Sequence, residues 1–370
     1  MRIGLLYLGK GGGISHCTLE LARALSPRAE TVCYLASQND MLELFHDLPC
    51  KVRVFPLRRG WRSLLHAALT KTEGSGIAEA IEGDAPDIAI DTGSGGWGNV
   101  VLRQICEKIP TAAVIHDILP HPGWRHFVET MPDLMCPLSA DAVISMSDYS
   151  HQHIVRRYPG KEYIKSKHGV ILPCDHIDLD RIAAMRHKLL FLGRIDSYKG
   201  LDVLVRAYEI ARRSRPDLEL HIAGRGEIRR EVRKRIAGIG IGLTNRYLTD
   251  TEIREVVSNH GVIVLPYTSA TQSGVAAVAL ANGLPCIATT VGALPEQVLH
   301  RRNGLLVRPN DPEAMAAAML EIAGSPDLAR SMAEEAIRIG TEAYSWERIA
   351  QRLVRDIDSF LRCRQSGAPR

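Results

Sequence analysis

MRIGLLYLGKGGGISHCTLELARAL, residues 1–25, sets an apolar run (IGLLYL) before a glycine-rich turn (GKGGGIS, residues 9–15) and then a stretch whose apolar residues recur at helical spacing. That order predicts a strand, a tight turn and a helix. Outward from it the alternation repeats. TVCYLA, VRVFPL, DIAID, TAAVIHD and DAVISMS read as further strands, each separated from the next by an amphipathic stretch, the pattern of parallel βα units. After the polar LDRIAAMRH the series restarts with KLLFLGR, LELHIAG, RYLT, GVIVLPY, PCIATT and GLLVRP. The expected fold class is therefore α/β, with two Rossmann-like doubly wound domains at residues 1–180 and 181–345, joined near 175–187. A last helix, 346–370, carries Trp346, Ile349, Leu353, Ile357, Phe360 and Leu361 on one face, and is expected to cover that face by crossing back to the first domain. Open parallel sheets take ligands beyond the carboxyl ends of their strands, so the site is expected in a cleft between the two domains.

The composition excludes several classes. The 370 residues are 45% hydrophobic and 24% charged, an ordinary globular balance. No apolar run approaches the roughly 20 residues of a membrane span, and the opening run is too short for a signal peptide, so a cytoplasmic location is expected. The eight cysteines are scattered without a C-x-x-C pair, which argues against a zinc or redox motif. The formal charge of +4 is uneven: residues 1–185 carry −2 and the remainder +6, which makes the second half the better holder of an anion. Nucleic acid is not expected as a partner, since basic and aromatic residues are not interleaved.

Candidate chemistry falls just after strands. Gly11, Gly12 and Gly13 let backbone approach a ligand where a helix start offers unpaired amides, yet the dinucleotide fingerprint fails because His16 stands where its third glycine would fall. His116 and Asp117 follow another strand, where the imidazole could donate to a substrate oxygen and the carboxylate orient it. His121 and His126 do not extend this pair into a recognised metal spacing, and no metal is expected. In FLGRIDSYKGLDVLVRAYEIARR, residues 191–213, Arg194 and Lys199 lie between a strand and an amphipathic helix and can converge on one anionic group such as a diphosphate. VLPYTSATQSGVAAVALANGLPCIATTVGALPE, residues 264–296, then offers Ser273, Gly274 and Val275 as backbone donors at a second helix start. Trp97 in DTGSGGWGNV combines a stacking surface with mobile glycines and is expected to meet an acceptor. PLRRGWRSLLHAAL, residues 56–69, mixes Arg58, Arg59 and Arg62 with Trp61, Leu64 and Leu65, a composition suited to peripheral contact with an anionic membrane.

At these residues the chain resembles the retaining glycosyltransferases of family 4 (glycosyltransferase group 1), over nearly its whole length: GGGISHCTLELARAL, VIHD, VISMSDYS, KHGV, FLGRIDSYKGLDVLVRAY, HIAGRGE, VLPY, ALANGLPCIATTVGALPE, GLLVRPND and the SWERIA helix. The resemblance implies the GT-B fold, with a nucleoside diphosphate sugar on the second domain and a glycan or lipid-linked acceptor on the first. By position, Arg194 and Lys199 correspond to the pair that neutralises the departing diphosphate, which implies that neither metal nor other cofactor is needed. Gly12 and Gly13 correspond to the loop near donor phosphates and acceptor, His116 to the histidine near the transferred sugar, and Ser15 and His16 fall on the acceptor side. One departure is plain. The family's two glutamates, eight residues apart, fall at Ala270 and Val278, with Gln272 and Ser273 as the polar residues left in that loop. Transfer of a sugar with retention is the expected activity; the alternatives are a non-catalytic nucleotide-sugar-binding subunit, which the missing glutamates favour, and an epimerase of the same fold, which they disfavour.

Overall fold

The structure, a computed structural model, describes residues 1–57, 74–119, 134–174 and 176–366. The chain divides into two compact units, Met1–Gly169 with Ser345–Arg370, and Val170–Tyr344. Residues 58–69 of the membrane segment expected at 56–69, and His121 and His126, lie outside the described residues.

The first unit is built on a seven-stranded sheet in the order β3-β2-β1-β4-β5-β6-β7, with every pairing parallel. Its strands are β1 (Arg2–Tyr7), β2 (Glu30–Ala36), β3 (Lys51–Phe55), β4 (Ile88–Asp91), β5 (Thr111–Ile115), β6 (Ala142–Ser145) and β7 (Glu162–Lys165). The central strands β4 and β6 are buried at every position, as strands covered on both faces must be. The edge strand β3 is not, because KVRVF alternates polar and apolar residues, and the other edge strand, β7, is likewise mostly unburied. Strand β7 was not expected: EYIK is short, half polar and at an edge.

Lys51 and Arg53 project from the same face of β3 and both reach Asp84, at the end of the helix Ser75–Asp84. Arg53 donates from Nε and Nη2 at 2.6 and 2.7 Å, Lys51 from Nζ at 2.6 Å and the Tyr34 hydroxyl at 3.1 Å. The Arg53 guanidinium, with Lys51 and Tyr34 behind it, outweighs burial and holds the Asp84 carboxyl far below the usual carboxylate range. A lowered folded-state pKa means that this contribution is whole above about pH 4 and is lost as pH falls below it. Asp84→Asn is expected to cost only about 1–2 kcal/mol at pH 7, because its cationic partners can return to water. It should also flatten the acid limb of a Tm profile below pH 4; an acid limb identical to wild type would contradict this.

The last helix, Trp346–Ser366, belongs to the first unit and packs on the helix Gly13–Leu25 and on β7. It buries Trp346, Ile349, Leu353, Ile357 and Phe360, and the Trp346 ring lies where a side chain at Gly169 would have to stand.

The second unit has a six-stranded parallel sheet in the order β10-β9-β8-β11-β12-β13. These are β8 (Lys188–Leu192), β9 (Glu219–Ala223), β10 (Gly242–Thr244), β11 (Val262–Leu265), β12 (Cys286–Thr289) and β13 (Gly304–Val307). RYLT, expected as a strand, is not one. The strand is Gly242–Thr244 just before it, and Thr249 instead closes a capping box with Glu252 at the start of the helix Asp250–Ser258. The unit begins at Val170 rather than 181, because its first residues bond inside it: Val170 N–H donates to the Tyr344 carbonyl at 2.9 Å, and Asn282 bonds both Cys174 N–H and the Leu172 carbonyl, at 2.8 and 3.0 Å.

In both sheets the strand order reverses beside the first strand, between β1 and β4 and between β8 and β11. Loops leaving the carboxyl ends diverge at such places and leave a crevice. Among the described residues no helix is long and apolar enough to cross a membrane, no group of three or more His, Cys, Asp or Glu is placed to hold a metal ion, and the eight cysteines are free.

Candidate functional site

In the second unit the reversal lies between the loops after β8 and β11. A 3-10 turn, Ser197–Lys199, ends at Gly200, whose φ of +67° starts the helix Leu201–Ser214. A side chain at Gly200 would run into the Pro266 carbonyl, so glycine lets the two loops press together there. Thr268 completes the seam, donating from N–H and Oγ1 to the Tyr198 carbonyl at 2.7 and 3.1 Å.

The seam encloses Lys199, which is only 9% exposed. Its Nζ donates to the Tyr267 hydroxyl at 2.9 Å and lies 4.5 Å from the centre of that ring and 5.8 Å from that of Tyr198. No carboxylate among the described residues forms an ion pair with it. Burial works against the ammonium and the charge of Arg194 adds to that, yet Tyr267 and Tyr198 outweigh both and the net shift is upward. A charged, buried lysine held only by phenols is an unfinished arrangement, since a buried cation is costly unless an anion meets it.

The other expected members converge on it unequally. Lys199 Nζ and a Val275 methyl lie 3.5 and 3.2 Å from the point where a Cβ on Gly193 would stand, so one small space opens to all three. Arg194 is close enough for its charge to act on Lys199, but its side chain is 64% exposed, with Nε 3.6 Å from Asp196. Gly274 and Val275 begin the helix Gly274–Ala281, and their amides have no protein acceptor among the described residues. Ser273 differs from its expected role. Its hydroxyl caps the helix by accepting from Ala276 N–H at 3.2 Å, and its own N–H is taken by Gln297 Oε1 at 3.1 Å, so the backbone donor expected of it is spent inside the protein. Gln272 is half-buried beside it, and Ala270 and Val278 are 5% and 4% exposed, packed as apolar residues.

In the first unit the corresponding loops follow β1 and β4. Gly12, with φ +85°, precedes the helix Gly13–Leu25, and a Cβ built on Gly12 or Gly13 meets nothing within 4 Å. The amides of Gly13, Ile14 and Ser15 have no acceptor among the described residues. The Ser15 side chain does not face this open ground: it is fully buried and its hydroxyl donates to Asn39 Oδ1 at 3.2 Å. His16 is half-buried, and so is Trp97, whose ring packs against the core of the unit, which removes much of the stacking face expected of it.

His116 directly follows β5 and is 8% exposed, with Nε2 donating to the Thr92 carbonyl at 3.0 Å. Burial lowers its pKa more than Thr92 and Asp117 raise it, so the ring is neutral at pH 7. The Nε2 proton is thus spent on the Thr92 carbonyl and not offered to a substrate oxygen, and Asp117 lies half-buried next to it.

Two residues behind His116 were not expected. His168 Nδ1 donates to the Gly169 carbonyl at 2.9 Å, which leaves Nε2 to accept from the Cys17 thiol at 3.2 Å. Burial pushes Cys17 up to about 12, and burial together with His116 brings His168 down to about 4, so the pair is neutral. A recess of about 20 Å³, room for one water, is lined by Cys17, Thr92, His116, Ser166, Trp346 and Leu353.

Residues 186–325 match the family described as glycosyl transferases group 1. The D-inositol 3-phosphate glycosyltransferase of Streptomyces scabiei is 30% identical over 278 residues, 68% of this chain and 60% of the relative. The chain thus spans about three-fifths of the length of such relatives. An uncharacterized glycosyltransferase of Haemophilus influenzae is 20% identical over 94% of this chain and 96% of its own. Anabaena Alr3699/HepE in complex with UDP has the same fold, with a TM-score of 0.75 and 18% identity, over 97% of this chain and 100% of that one. Sucrose-phosphate synthase from Thermosynechococcus elongatus gives a TM-score of 0.74 at 19% identity over 98% and 100%.

Proposed function

On the premise that this chain belongs to the group 1 glycosyltransferases and has their GT-B fold, we propose that it moves a sugar from a nucleoside diphosphate sugar to an acceptor hydroxyl, with retention at the anomeric carbon. The observation that carries the reading is Lys199, a buried cation without a carboxylate partner among the described residues, which shares the space at Gly193 with a methyl of Val275, a residue at the helix start whose Gly274 and Val275 amides have no acceptor there. A diphosphate completes that arrangement: one phosphate faces Lys199 and the helix amides, and Arg194 reaches it from the exposed side.

The chemistry follows from charge. As the bond between C1 of the sugar and the phosphate oxygen breaks, negative charge grows on the departing diphosphate, and Lys199 and Arg194 stabilise it where it develops. The acceptor oxygen forms the new bond to C1 on the same face, and its proton passes to an oxygen of the leaving diphosphate. No protein nucleophile is needed. The acceptor, a glycan or lipid-linked hydroxyl, is assigned to the first unit, where Gly12 and Gly13 border open space and His116 stands neutral.

A panel of UDP, GDP, ADP, TDP and CDP, with and without magnesium, tests this by thermal shift and calorimetry. One nucleotide should stabilise the protein whether or not metal is present, and Arg194→Ala should weaken it by about tenfold, the effect of one charge-assisted contact in partly exposed surroundings. HepE was solved with UDP, which makes UDP the first to try. Protein that no nucleotide stabilises would sink the proposal. Binding without sugar transfer to any acceptor would favour a binding subunit, the reading to which the apolar burial of Ala270 and Val278 lends weight.

A further inference from the structure

Gln297 is 4% exposed and turns both the oxygen and the nitrogen of its side-chain amide to one residue. Its Oε1 accepts from Ser273 N–H at 3.1 Å, and its Nε2 donates to the Ser273 carbonyl at 3.0 Å. Gln297 is itself held from behind: Asn303, 1% exposed, donates from Nδ2 to the Gln297 carbonyl at 2.9 Å and accepts from Leu299 N–H at 2.7 Å. Two buried amide side chains in series therefore join the start of β13 to the cap of the helix Gly274–Ala281.

We propose that Gln297 is a positioning residue for the diphosphate: through Ser273 it fixes the direction in which the Gly274 and Val275 amides point. The inference rests on the diphosphate reading above. Apart from Gln297, Ser273 is tied only to the helix it caps, its hydroxyl accepting from Ala276 N–H and its carbonyl from Ala277 N–H, both at 3.2 Å; its own N–H has no other acceptor, and the loop ahead of it, Ala270–Gln272, has no regular structure. Clamping both backbone groups of one residue removes rotation about it, so the amides beyond reach an incoming phosphate without being ordered by it. An apolar side chain could fill the same volume but could not set that direction.

Gln297→Met and Gln297→Glu test this, with UDP and inorganic pyrophosphate as ligands in calorimetry at temperatures where melting curves show the protein folded. Gln297→Met should weaken both ligands about tenfold or more. Gln297→Glu carries a signature that packing alone lacks. Ionised, it can accept from Ser273 N–H but repels the Ser273 carbonyl; protonated, it restores both bonds. Its affinity for UDP should therefore recover toward wild type as pH is lowered from 7.5 to 5, relative to wild type over the same range. Wild-type affinity in folded Gln297→Met, or a Gln297→Glu to wild-type ratio that does not change with pH, would overturn the proposal. Should Gln297→Met not fold, the pH series on Gln297→Glu decides alone. Failure of the underlying reading looks different: wild type itself would bind neither ligand, or Lys199→Ala would bind both as wild type does.

Discussion

Lys199→Met is expected to remove the gain in melting temperature that a nucleoside diphosphate gives the wild-type protein, while the ligand-free variant melts at the same temperature or higher. Both halves come from the same cause. Without an anion the ammonium sits among tyrosines, 9% exposed, where the Tyr267 hydroxyl and two ring faces offset its desolvation. An unbranched apolar side chain fills that volume without the penalty, and exchanging buried charge for a hydrophobe is commonly neutral or stabilising. With the diphosphate present the balance inverts, since a desolvated ammonium facing a phosphate contributes about 1.5–3 kcal/mol, or about ten- to hundredfold in Kd. Melting curves with and without UDP, for wild type and variant, read both halves at once. A Lys199→Met protein that UDP still stabilises fully would remove Lys199 from the site. One that melts far lower without ligand would show that the ammonium is a structural tie of Tyr267.

Acid should weaken the first unit through His168 well before carboxylates titrate. Burial, with His116 nearby, brings His168 down to about 4, whereas an unfolded chain returns it to about 6.5. The unfolded state then binds the extra proton first, so stability is whole above about pH 6.5 and falls by about 1.4 kcal/mol per unit toward pH 4, about 3 kcal/mol in all. His116, also lowered, acts with the same sign. His168→Asn keeps a donor for the Gly169 carbonyl but cannot take up the proton, and its stability by denaturant titration should change much less between pH 6.5 and 4.5. Parallel profiles for the two proteins would show that His168 is not the group involved. The window also separates this effect from that of Asp84, which acts only below pH 4.

The readable parts of the chain were those where function and fold share a short stretch. Glycine after β1, Arg194 after β8 and the small-residue helix at 274 all stand where strand ends meet helix starts, and local pattern suffices to place them. What stayed hidden depends on partners far along the chain. Lys199 is legible in SYKG as a cation near Arg194, but its burial is not: that comes from Tyr267, whose hydroxyl it meets where Gly200 lets one loop lie against Pro266. Ser273 reads as a ligand donor until Gln297 is seen to occupy its N–H. His116 reads as a donor until the Thr92 carbonyl claims its proton. RYLT outranks GLT in strand propensity, yet pairing with β9 places the strand at Gly242–Thr244, a case of neighbours overriding preference.

The helix Trp346–Ser366 gives the two units different histories on the ribosome. Residues 170–344 form one continuous stretch and can finish folding as soon as they emerge, whereas the first unit, though begun earlier, waits for the helix Trp346–Ser366. Until Trp346, Ile349 and Leu353 are made, the side of the first helix that bears Cys17, Thr18 and Leu21 stays bare, along with the surroundings of His116. The second unit is thus the part that can be produced alone, and a chain stopped before residue 345 would keep every strand of its first sheet yet expose the apolar face of the helix Gly13–Leu25.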